Sequence, residues 1–490
     1  MSVWRKKTVE SILAEKKENK RGLVPSLGVA DLTALGVGAV IGTGIFVLTG
    51  VAAANYAGPG IIFSFILSGI AAALAALVYA ELAAAIPSAG SAYTFSYVSL
   101  GEIVAWLVGW NLILEYLVAA GAVSIGWSSY MGDLLRSLGI ALPAAYTSSP
   151  FEGGMINLPA ALIVLLITGL IITGTQHSAT ANKIIVVVKL ATIGLFIALG
   201  VQHINPDNWR PVLPYGITGV FHGAAIVFFA YIGFDAVATA SEEVKNPQRD
   251  LPRGIIWTLA LSTTLYVAVA ATLTGMVKYT ALNTASPVAT ALFMVGIPWA
   301  SALVSVGALA GLTSVLLVAM YGQSRIFFAM GRDDLLPPIF DWLHPRLRTP
   351  LWDSVIIGIL VASIGAFLPI GLVAELANIG TLSAFIAVSM GVIILRRTNP
   401  DLRRPFRLPF MPVIPVLTIV AAGYLALNLP PLTWVRFAIW IAIGLAIYFF
   451  YGYRKSKLAG EPGPAIPGGA LPQPARKPVF EDIEKHNPRE

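Results

Sequence analysis

The chain has 490 residues and a net charge of +7, with 57% of residues hydrophobic, 12% charged and no cysteine. Soluble domains carry about 25% charged residues, so a soluble protein of this size, which must cover its surface with charge, is excluded and lipid is the remaining solvent. The missing cysteines exclude disulfides, thiolate metal sites and cysteine nucleophiles.

The N-terminus, with Trp4, Arg5, Lys6 and Lys7, is too polar for a cleavable signal peptide. The first apolar span therefore acts as the insertion signal. Residues 3–21 have two readings. One is an amphipathic helix on the membrane surface, with Val9, Ile12 and Leu13 on one face and Trp4 as anchor. The other is a solvated tail.

A membrane-crossing helix needs ~20 mostly apolar residues. Spans are expected near 28–54, 60–86, 100–131, 156–174, 182–204, 216–241, 252–276, 299–330, 350–369, 371–396, 412–428 and 432–453. The fold class is thus an all-α membrane protein of about twelve spans. Residues 286–296 suggest a short helix on the outer surface, and 456–490, rich in proline, glycine and charge, a disordered tail. Lysines and arginines gather on alternate connections, from Arg5–Arg21 through Arg249, Arg253, Arg396 and Arg397 to Arg454 and Lys455. The positive-inside rule then puts both termini in the cytoplasm of a multi-pass cell-membrane protein. It also accounts for the basic balance without nucleic acid.

Span one contains Gly36, Gly38, Gly42, Thr43 and Gly44. A dinucleotide loop needs a preceding strand and a later acid, and neither is present. Two readings stay open. Small residues let helices approach closely. Alternatively, the glycines interrupt the helix, which mid-membrane is tolerated only where the backbone lines a cavity or is buried in protein. An interruption aims amides of the second half at a carboxylate and carbonyls of the first half at a cation, which suits the two ends of an α-amino acid. Transporters built from inverted repeats carry a second break at the matching position. Span six offers one at Phe228-Phe229-Ala230-Tyr231-Ile232-Gly233-Phe234-Asp235. Asp235 inside an apolar run faces a cavity, a partner or unwound backbone.

These segments, with Ser241-Glu-Glu-Val-Lys-Asn-Pro-Gln-Arg-Asp-Leu-Pro252, resemble the amino acid–polyamine–organocation superfamily, and particularly its cationic amino acid transporter family. The resemblance covers about residues 25–455. It implies a five-plus-five inverted repeat (27–204 and 216–397) with spans one and six broken, two additional helices within 411–453, and a cytoplasmic segment 1–26. It further implies that the backbone of Gly42, Thr43 and Gly44 binds a substrate carboxylate, and that carbonyls of Val40, Phe229 and Ile232 bind its ammonium. Ala230 and Gly233 belong to the same set, and Phe229 or a neighbour closes over the substrate as an aromatic gate.

Two further charges lie inside spans. Lys189 either snorkels to the nearby end or titrates, since burial disfavours its charged form. Its position resembles the span-five lysine of proton-coupled bacterial relatives, which implies that it clamps the first-span break when protonated. Glu115, which resembles a glutamate of the cationic branch, either holds a cationic side chain or is protonated and structural. Glu81 and Glu102 are expected at the interface. The scattered histidines suggest no metal site. The expectation is a secondary transporter for L-amino acids, cationic or small neutral, coupled to protons, with no cofactor and no catalysis; an exchanger is the alternative. A membrane-embedded enzyme would need a paired catalytic set that is missing, and a channel is a third class.

Overall fold

The computed structural model describes residues 3–9, 11–12, 27–86, 91–173, 179–239, 244–342, 344 and 349–460. The remainder of the 3–21 segment, Ser241–Glu243 of the motif loop and the tail from 461 lie outside the described residues.

Apolar runs fold as helices because lipid leaves backbone groups no partner except the helix itself. In chain order these are α1 (Val29–Val40), α2 (44–57) and α3 (Ile61–Ala85), then α4 (Ser91–Ser99) and α5 (Glu102–Ser137). Next come α6 (Leu158–Ile172), α7 (Ala179–Gly200), α8 (Gly216–Val227, continued by a 3₁₀ turn Phe228–Tyr231) and α9 (Ala236–Thr239). The chain then forms α10 (Pro247–Met276), α11 (Pro287–Met294), α12 (Pro298–Arg332), α13 (Leu351–Phe367), α14 (Ile370–Thr398), α15 (Val413–Leu427) and α16 (Pro431–Ile447). Among the described residues seven helical segments are long and apolar enough to cross a membrane, and five shorter ones of 10–17 residues are apolar as well. Among the described residues the sole β-type pairing is the isolated bridge Leu27–Val244.

The breaks expected in spans one and six are present, and two other expectations change. The span expected at 28–54 is two helices, α1 and α2, and α2 contains two π-helical segments, Gly44–Leu48 and Ala53–Ala57. The span expected at 216–241 likewise ends in a 3₁₀ turn and resumes as α9. Helix α10 starts five residues before the expected 252, because Pro247 at its first turn lacks only an N–H that no helix start would use. Helix α4 was not expected; it is short, and every residue in it is buried. The short helix within 286–296 is present, with Val288, Ala289, Ala291 and Leu292 buried.

The helices pack in two groups. Helix α10 packs on α1 and α3, and α8 packs on α3 and α2, while α5 packs along α12, α13 and α14. The cavity described below lies where the two groups meet.

The end of the molecule near residue 5 is sealed by carboxylates. Glu102 accepts hydrogen bonds from Tyr97 (3.0 Å), Tyr448 (2.9 Å) and Ser456 (2.6 Å). Glu81 is held by Arg396 and by the backbone N–H of Leu408 (2.7 Å). Both lie near helix ends and are buried in protein there. Asp333 takes Lys7 at 2.6 Å and the Tyr93 hydroxyl at 2.6 Å. Ser456 and Leu458 remain buried against this end.

Candidate functional site

Helix α1 ends where Ile41 turns extended (φ −78°, ψ 100°) while its N–H still bonds the Val37 carbonyl. Gly42 and Thr43 carry the chain over, and α2 begins in the π-helical segment at Gly44. Its first amides have no preceding turn to bond. Helix α8 tightens at Phe228, and Ile232 is extended (φ −62°, ψ 138°). Gly233 follows at φ +105°, a left-handed conformation that only glycine adopts without strain. Asn378 on α14 helps to loosen α8, donating to the carbonyls of Ala225 (2.8 Å) and Ile226 (3.0 Å).

The two breaks touch. A Cβ added at Gly44 would stand 2.3 Å from the Ala230 Cα, so α2 starts in direct contact with the end of α8. A Cβ at Gly233 would meet the Ala39 carbonyl oxygen at 3.3 Å. The hydroxyl of Tyr266, on α10, joins the two breaks. It lies 2.9 Å from the Val40 carbonyl and 2.7 Å from the Ala230 carbonyl. One proton faces two acceptors, each at the C-terminal end of a first half-helix.

Beside the breaks is a cavity of about 60 Å³ lined by both of them together with α5 and α12. Of the residues singled out from the sequence, Val40, Gly42, Thr43, Gly44, Phe229, Ile232, Gly233 and Glu115 line it. Ala230 is not on the wall; it stands behind Gly44, with its carbonyl turned to Tyr266. The Thr43 hydroxyl is buried and has no hydrogen-bond partner. It is a donor beside the free amides of α2, where an anionic group gains most. Glu115 is the one ionisable carboxyl on a wall otherwise made of apolar groups, backbone, the Thr43 hydroxyl and the Tyr116 ring.

Lys189 is fully buried on α7 and outside the cavity lining. Its ammonium donates to the carbonyls of Gly38 (2.6 Å) and Ile41 (3.1 Å), tying α7 to the open end of α1. It points to the break and not to the nearer end of its helix, as snorkelling would require. Gly311 on α12 makes room for it: a Cβ there would come within 2.9 Å of the Lys189 Cγ. Asp235 is buried close to the second break. Among the described residues no group of histidine, aspartate and glutamate is arranged to hold a metal ion.

Sequence reasoning missed the α12 wall (Val315, Val318, Ala319), the α5 positions Ala119 and Val123, and Tyr266. Apolar residues in an apolar span look alike whether they face lipid, a helix or a cavity. Tyr266 lies in Thr264-Leu-Tyr-Val-Ala-Val with no charge or glycine nearby to mark it.

The amino acid permease family model matches residues 27–454. The methylthioribose transporter of Bacillus subtilis is 48% identical over 459 residues, covering 93% of this chain and 99% of that protein. The branched-chain amino acid permease BcaP of the same organism is 47% identical over 462 residues, with the same coverage of 93% and 99%. The vacuolar cationic amino acid transporter 4 of Arabidopsis thaliana is 38% identical over 407 residues, covering 82% of this chain and 68% of that protein.

Proposed function

We propose, from the premise that this chain belongs to the amino acid permease family, that it moves L-amino acids by alternating access in symport with protons. Membership of the family makes it a multi-pass membrane transporter of amino acids and not an enzyme. The proposal concerns the cargo, the coupling, the site and the orientation.

The observation that carries it is the pairing of the two breaks around one small cavity. In the proposed complex the substrate carboxylate lies against the backbone of Gly42, Thr43 and Gly44 and the free Thr43 hydroxyl. The ammonium lies against carbonyls at Val40, Phe229 and Ile232, with Phe229 as the gate. Gly233 gives the second break its turn, and Ala230 supports the first from behind. The interruptions of spans one and six at matching places support two five-span repeats, 27–204 and 216–397, with 411–453 outside them. The basic end, by the positive-inside rule, is cytoplasmic and carries both termini of a cell-membrane protein.

The lining favours small neutral or branched side chains, since apolar groups form most of it and the volume is small. Glu115 on the wall favours a second reading, a cationic amino acid. The name of the methylthioribose relative adds a neutral thioether sugar to the candidates. A thermal-shift screen of purified protein against all amino acids and methylthioribose decides the cargo, because a ligand of the folded state raises its melting temperature.

Coupling rests on Lys189. Protonated, it holds Gly38 and Ile41 by charge-assisted hydrogen bonds, which are about twice as strong as neutral ones. Deprotonated, it lets the end of α1 go. The test is uptake into proteoliposomes with the bath more acidic than the lumen, with and without a protonophore. Proton-driven accumulation is expected in wild type and lost in Lys189→Ala. It is also lost in Lys189→Arg, whose guanidinium does not deprotonate. Uptake that ignores the protonophore and requires sodium overturns proton symport. Uptake that requires only a loaded counter-substrate makes the protein an exchanger.

A further inference from the structure

A second concavity lies far from the helix breaks, at the basic end. It has a volume of about 430 Å³ and lies between the start of α10 and the connection from α14 to α15. Arg249 and Arg253 stand one helical turn apart on α10 and so share a face. Pro252, Ile256, Pro405 and Phe406 form the apolar part of the groove. Both arginines are solvent-exposed, and neither makes a hydrogen bond or ion pair among the described residues. The intervening acid, Asp250, is buried.

The surroundings of the groove indicate the kind of ligand. Ile256 (42% exposed) and Trp257 (61%) follow the arginines along α10. Exposed apolar residues on a membrane helix face lipid, and tryptophan marks the headgroup level. Two free guanidiniums therefore lie at headgroup depth beside a path for acyl chains. Arginine forks match phosphate oxygens, and basic pockets between helices at this side of a membrane take anionic headgroups. Independently of the transport reading, we propose that this groove binds the phosphate of an anionic phospholipid, with its acyl chains lying along Ile256 and Trp257.

The test uses the full-length protein in neutral detergent, measuring retained lipid by native mass spectrometry. Phosphatidylglycerol is expected to bind and phosphatidylcholine to wash off. The double variant Arg249→Gln, Arg253→Gln should lose phosphatidylglycerol affinity by about thirtyfold, the loss of two near-surface arginines. Arg249→Lys with Arg253→Lys should retain most of it. Raising sodium chloride should strip the lipid from wild type, a readout that needs no variant. Unchanged affinity in the glutamine pair, equal retention of phosphatidylcholine, or lipid that survives high salt would each overturn the proposal. Inorganic phosphate alone displacing the lipid at equal concentration would overturn it too, because the site would then be one for a free anion.

Discussion

The seam between Gly44 and Ala230 yields the sharpest prediction. A methyl group on residue 44 would fall 2.3 Å from the Ala230 Cα, 2.4 Å from its Cβ and 3.0 Å from its backbone nitrogen. Carbon atoms rest at about 3.5–4.0 Å. The two half-helices must therefore separate by roughly 1.2 Å or more to reach that spacing, and backbone cannot swing aside as a side chain does. Overpacking of this kind costs about 1–3 kcal/mol. If the closed seam is what binds substrate, Gly44→Ala loses about tenfold to a hundredfold in affinity, at 1.4 kcal/mol per tenfold. Gly194→Ala on α7, whose added methyl meets nothing within 4 Å, is the internal control and should bind as wild type does. The assay is a binding isotherm, for the amino acid giving the largest thermal shift, on purified variants that elute as monodisperse wild type does. Wild-type affinity in Gly44→Ala, or an equal loss in Gly194→Ala, refutes the closed-seam account.

Tyr266→Phe leaves two buried carbonyls without their donor, so its melting temperature should drop by the equivalent of about 1–3 kcal/mol; an unchanged melting curve means that the hydroxyl bridge carries no load. Because the chain has no native cysteine, single probes report cleanly. Ala319→Cys on the cavity wall should react with a small polar thiol reagent and be protected by substrate, while the buried Leu316→Cys, one turn earlier on the same helix, should not react. Protection of neither or reaction of both moves the site elsewhere. Glu115→Gln should weaken competition by arginine or lysine more than competition by alanine, and equal losses assign Glu115 to structure.

The breaks were legible because they are written locally. Three glycines and Thr43 within 38–44 are too costly for an ordinary helix, and Gly233 beside Asp235 marks the second. Lys189 was legible because a charge in an apolar run has few explanations. What stayed hidden was decided by partners remote in sequence. Gly42 and Gly44 are equivalent in the sequence. One is opposite a side chain and the other opposite backbone, which only the packing of α8 determines. Glu81 could be placed near a span end, but not its partner, because Arg396 is 315 residues away.

The ion pairs of the basic end divide along the same two groups of helices. The contacts of Glu102 and Asp333 join the N-terminal residues to α5, α4, α12 and the C-terminal residues 448–457. Each of these named contacts stays within that set of elements. Glu81 is different. It lies on α3 yet is held by Arg396 of α14 at 2.5 Å and by Arg404 at 3.5 Å. The Glu81–Arg396 pair thus crosses from one group to the other at the basic end. Arg396 is 24% exposed in its side chain and Glu81 1%. Parting them would strand the more buried carboxylate, the costlier half of a broken pair. The backbone N–H of Leu408, which also bonds Glu81, belongs to the same connection as Arg404 and would part with it. Separation of the two groups at this end would therefore load one carboxylate of α3, Glu81, while Glu102 and Asp333 tie their own group together.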